Sequence, residues 1–383
     1  DWRAHGDFLP GSRPMVLIET ASFAHEILPP LLQCEDEGAR GMEAQLISGM
    51  INHTLFDDDT LVRDYFEIYP SVRFDPFGIE VIKEHAELDG KESVGHHFVT
   101  QISDIKEDFH KFGKSSFAAT IEGALSFREW VGDIIGDVLE PRMSTYGHVA
   151  VLTQNLVHLM SMQDMFMSMY DHPGEFKAIM ERQTDDYLEL YENMEKDGLL
   201  GPQTQDQPVA QGSYCFNDVL PDDKDSYTLK DNWLYMDSQE SVGISPDMFG
   251  EFIFPYYKKL AERFGSVSYG CCEPVDPFYD SHLSRLDNLR KISISAWCNE
   301  EIMGERLRGR KISYLRKPSP NFLGLGGSLD EDAVRKHISR TVNAASGCNL
   351  EIIQRDVLTV DGSPKKVRRY VELIRECCDN YRP

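Results

Sequence analysis

A short β-prone run, a turn and then an amphipathic stretch recur along this chain. Parallel strands can be joined only by a long return connection, so this alternation is what a parallel sheet with crossover helices imposes. Candidate strands fall at 15–19, 142–151, 233–236, 266–269, 292–296, 312–315 and 350–354, one short of the eight that a (β/α)8 barrel requires. The intervening helices carry their own punctuation. Ser245-Pro246 supplies an N-cap and a first-turn proline for a helix over 248–264, and Gly265 stands at its C-terminal end. A C-terminal helix over 365–381 has Val367, Tyr370, Val371, Ile374 and Cys378 at helical spacing. An early β-hairpin insertion, with strands at 77–81 and 97–102 and a polar connection over 84–93, interrupts the rhythm.

No linker or internal repeat divides the 383 residues, so one domain over 1–383 is expected. A formal charge of −25 without a compensating Lys/Arg cluster argues against nucleic acid. No apolar run reaches the roughly 18 residues of a membrane span, so a membrane is not an expected partner. The eight cysteines include two adjacent pairs, which speaks for reduced thiols, and no secretory pattern opens the chain. A cytoplasmic location is the resulting expectation.

In such a fold, chemistry sits at the C-terminal ends of the strands. Cys271, Cys272 and Glu273 follow one strand, and an extended backbone there turns Cys271 and Glu273 to one side and Cys272 to the other. Asp237, Gln239 and Glu240 follow another. Carboxylates at these places serve as general acids, metal ligands or orienters of a substrate; equally, Asp237 or Glu240 caps the next loop. Thiolate and carboxylate are sound zinc ligands, and a buried, inert cysteine is the alternative. Tyr314 and Lys317, near a third strand end, are candidates for anchoring an anionic group, with a chain turn at Lys317-Pro318 as the alternative; His148 is a candidate substrate contact, although a lone histidine in such a run is more often a hydrogen-bonded structural residue.

The stretches Ser268-Tyr269-Gly270-Cys271-Cys272-Glu273-Pro274, Asp237-Ser238-Gln239-Glu240, Lys317-Pro318-Ser319-Pro320 and Arg355-Asp356-Val357-Leu358-Thr359-Val360 together resemble the uroporphyrinogen decarboxylase-like superfamily. The resemblance implies a (β/α)8 barrel that binds either a tetrapyrrole or a methyl donor facing a corrinoid. Decarboxylases of this kind carry an arginine-rich N-terminal stretch, where this chain has Met15-Val16-Leu17-Ile18-Glu19-Thr20. The resemblance is therefore closer to the corrinoid-dependent methyltransferases. Their thiol-active branch has a His-x-Cys motif; here Tyr269-Gly270-Cys271 replaces it, and Asp356 stands for a later cysteine.

The resemblance thus implies an enzyme that moves a methyl group from a small methylated donor to a corrinoid carried by a partner protein. Glu273, Asp237 and Glu240 are its candidate acids. Cys271, Cys272 and Asp356, with Glu273, are its candidate zinc ligands, and His148 or Glu240 would complete that set. The alternatives are a tetrapyrrole decarboxylase and a catalytically silent small-molecule-binding barrel.

Overall fold

The computed structural model describes residues 1–88, 91–379 and 381. Seven strands make one all-parallel sheet: β1 (Met15–Ile18), β2 (His148–Ala150), β3 (Trp233–Met236), β4 (Ser266–Tyr269), β5 (Leu289–Ile294), β6 (Ser313–Arg316) and β7 (Asn349–Gln354). Their order across the sheet is β1-β7-β6-β5-β4-β3-β2, so β1 and β2 are its edges. The protein is thus mixed α/β with a parallel sheet, and no ladder joins β1 to β2 among the described residues. Tyr65–Ile68 pairs instead with Glu140–Met143, in a separate two-stranded parallel sheet.

The edge left open at β2 is covered by one side chain. Tyr191, on helix α1 (Pro173–Lys196), takes the amide of Val149 on its hydroxyl oxygen at 3.1 Å and donates to the Val149 carbonyl at 2.5 Å. That hydroxyl occupies the two bonds an adjacent strand would make.

Alternation along the strands separates two packing faces. Ile292, Tyr314 and Ile352 belong to the large core shared with the helices, whereas Met15, Leu17, Leu315 and Ile353 pack with Trp2 and Tyr214 on the opposite, inner face. A hairpin, Pro208–Ala210 with Ser213–Tyr214, enters that inner face. Ser213 donates to Glu351 at 2.5 Å, and a Cβ on Gly212 would come within 2.9 Å of the Ile353 side chain, so its tip is seated tightly against β7. Lys291 of β5 and His5 of the first helix also reach Glu351, at 2.7 and 3.3 Å.

Three boundaries differ from the sequence expectation. The run at 142–151 divides at Gly147, whose Cα lies so close to the Val209 carbonyl that a Cβ would come within 2.4 Å of it. The helix expected over 248–264 is two, Pro246–Phe252 and α2 (Phe254–Ala261), because Pro255 has no N–H to continue the first. The inserted hairpin pairs Lys83–Leu88 with Lys91–Phe98, later than 77–81 and within the polar stretch expected to connect its strands. Residues 89 and 90, in the middle of that expected connection, lie outside the described residues. Glu84 and His97 on the hairpin are both exposed, so no apolar alternation marked these strands. The C-terminal helix α3 (Pro364–Cys378) lies where expected. No helix among the described residues is long and apolar enough to cross a membrane.

Candidate active site

The residues after β3 and β4 build one acidic cluster at the C-terminal edge of the sheet. Asp237 continues the inner-face parity of Tyr235, which donates to Asp237 Oδ2 at 2.5 Å. Tyr257 of α2 donates to the Asp237 carbonyl at 2.5 Å, fixing the backbone as it leaves the strand. Asp237 is 3% exposed, and its Oδ1 is buried with no hydrogen-bond partner. Burial, reinforced by the charges of Glu273 and Cys271 nearby, pushes its carboxyl well above the usual range. Glu240 lies three residues on in a short turn with Gln239, and accepts from Thr153 Oγ1 at 2.7 Å. Burial raises its pKa as well.

Glu273 is held differently. Its two carboxylate oxygens accept from the backbone amides of Ser238, at 3.1 Å, and Cys271, at 2.8 Å, which ties the β3 and β4 ends together. The backbone permits this because β4 stops at Tyr269 and Gly270 takes φ +97°, a conformation that favours glycine. Extended geometry therefore does not persist through Cys271–Glu273. Instead the Cys271 and Cys272 sulfurs come within 3.6 Å of each other. The Cys272 thiol and the Lys317 ammonium lower the Cys271 pKa to about 6, against the opposing effect of burial.

Lys317 extends the inner-face parity of β6. It is buried, donates to the Cys271 carbonyl at 3.2 Å and donates to Gln211 at the tip of the inner hairpin. Arg355, after β7, donates to the same Gln211 oxygen. Burial depresses the Lys317 pKa.

Solved structures resemble this fold over nearly its whole length. A methyltransferase from Methanosarcina mazei matches 98% of this chain and 96% of its own, with a TM-score of 0.50 and 12% sequence identity. No family model and no curated protein matches the sequence. At that identity the likeness establishes the fold alone.

Two residues expected at the site lie elsewhere. His148 opens β2 opposite Leu234 and bonds Asn232 at 2.9 Å, before β3 begins, which is the N-terminal end of the sheet. Burial lowers its pKa to about 4, so it is a neutral packing residue beside Tyr191 and Phe264. Tyr314 has the parity opposite to Lys317: it faces the helices and donates to the Glu300 carbonyl at 3.2 Å.

The expected zinc ligand set is not assembled either. Cys272 Sγ approaches Asp356 Oδ2 at 3.6 Å, but both Glu273 oxygens are taken by amides and His148 is at the far end. Among the described residues no group of three or more His, Cys, Asp or Glu could hold a metal ion. Tyr235, Tyr257, Thr153, Gln211 and Arg355 are the site residues that sequence reasoning missed. Parity with Asp237 was the available signal for Tyr235; nothing local marks Gln211, which arrives through a tertiary insertion.

Proposed function

We propose that this chain is a methyl-transferring enzyme of the uroporphyrinogen decarboxylase-like superfamily. On this reading its sheet is a (β/α)8 barrel within one domain over 1–383, and its methyl acceptor is cobalt(I) of a corrinoid held by a partner protein in the cytoplasm. The supporting observation is the state of Asp237. With Oδ2 accepting from Tyr235, the proton of the neutral carboxyl belongs on Oδ1, the buried atom that has no protein acceptor.

An ether or amine that loses its methyl group keeps the bonding electron pair on oxygen or nitrogen and needs a proton there. Asp237 Oδ1 supplies it as the carbon–heteroatom bond breaks, and the methyl carbon passes to cobalt. Burial, reinforced by the neighbouring charge of Glu273, favours the protonated Asp237, while Tyr235 and Tyr257 hold the acid in register. No step requires zinc.

The test is single-turnover methylation of reduced cobalamin by a panel of methoxyarenes and methylamines, followed by the cobalt absorbance. Methylation that depends on the protein and fails with Asp237→Asn is expected. Unmethylated cobalt with every donor, while the protein is folded, refutes the reading.

A further inference from the structure

Lys317 and Arg355 are two cations brought together at the strand ends of a chain whose net charge is −25. Neither makes an ion pair with a carboxylate among the described residues. Their shared acceptor is the neutral side-chain oxygen of Gln211. The two cations repel each other, and Arg355 Nε is buried with no partner. Glu273 and the Cys271 thiol favour the charged Lys317 through space, but neither rim carboxylate bonds either cation: Glu273 is bound by two amides, and Asp356 faces the Cys272 sulfur.

Gln211 is held there at some conformational expense. It takes φ +56° and Ala210 takes φ +140°, left-handed values at two successive residues other than glycine. The Ser213–Glu351 bond and the tight seat of Gly212 fix the tip in that conformation. Such a device leaves cationic donors preorganised around a place where no carboxylate is bonded to them.

The geometry points to an anion subsite, in which Lys317, Arg355 and Gln211 receive a carboxylate carried by the methylated substrate. It is linked to Glu273, the carboxylate neighbouring Asp237, because Cys271 gives its amide to Glu273 and its carbonyl accepts from Lys317. The inference rests on the methyl-transfer reading for what the carboxylate is attached to. The donor class it names is a methyl ether or methylamine bearing a carboxylic acid.

The experiment is calorimetric titration of the full chain with 3-methoxybenzoate and methoxyacetate, each matched with its amide. At least one acid should bind roughly tenfold more tightly than its amide, because hydrogen bonds to a charged group are stronger than those to a neutral one. Gln211→Glu places a carboxylate between the two cations and should reduce that preference to within about twofold without lowering the melting temperature. Lys317→Met should reduce it likewise. Equal binding of acid and amide, binding of neither, or a preference that survives both substitutions overturns the subsite. Acid preference without methylated cobalt keeps the subsite and removes the methyl-transfer reading; methyl transfer without acid preference does the reverse.

Discussion

Glu351→Gln tests the buried polar centre that seats the inner hairpin. Glu351 is fully buried and receives Lys291 Nζ at 2.7 Å and Ser213 Oγ at 2.5 Å, with His5 Nε2 at 3.3 Å. Burial pushes its carboxyl up, but Lys291 and His5 more than offset this and bring it from 4.5 to about 2. At about 1.4 kcal/mol per pH unit, that depression is worth about 3 kcal/mol. Because the folded pKa lies below the unfolded one, the contribution is present above pH 4.5 and is lost as pH falls through about 2.

Glutamine keeps the shape and removes the charge, leaving the Lys291 ammonium uncompensated in the interior. The expected loss is about 3–5 kcal/mol. Urea unfolding at pH 7 measures it. Glu351→Leu combined with Lys291→Met removes both charges and should recover at least half of the loss. A single variant within about 1 kcal/mol of the native protein, or a double variant no better than the single one, refutes the account.

Asp237→Asn should slow methyl transfer by about 10²–10⁴, read from single-turnover rates at saturating donor; less than a fivefold change assigns the proton to another group. Since the Asp237 carboxyl is raised well above the usual carboxylate range, the transfer rate should fall with rising pH above that range as its proton is lost. A rate that rises with pH across the same range contradicts the acid role. Alkylation of Cys271 by iodoacetamide should be half-maximal near pH 6, and Cys272→Ser should move that midpoint upward. Peptide mass spectrometry of the alkylated protein separates the two thiols.

Much of the fold was legible because parallel strands buried on both faces are continuous apolar runs, as in Met15–Ile18 and Trp233–Met236. The strand-end rule likewise drew attention to Asp237, Glu273, Cys271 and Lys317, which the structure gathers. Tyr314 was grouped with Lys317, although three positions apart the two face opposite sides, because both faces of β6 are buried and the sequence carries no alternation to read. The run predicted over 142–151 placed His148 in mid-strand, whereas β2 begins at it, and its bond to Asn232 there fits the structural reading of a lone histidine. The thiol pair was read as divergent because Gly270 was treated as part of an extended strand. Gln211 was out of reach, since its position depends on a hairpin held by contacts more than a hundred residues away, at Lys317 and Glu351.

The Tyr191 hydroxyl on β2 also bears on how this chain behaves among its own copies. An unprotected strand edge offers a ladder of amides and carbonyls to any extended segment that meets it, and association then competes with folding. Because one hydroxyl answers both the donor and the acceptor of Val149, that edge presents a ring instead of a template. Tyr191→Phe would restore the template while leaving the ring's packing in place. Its signature would be concentration-dependent aggregation during refolding, more than any change in the folded protein.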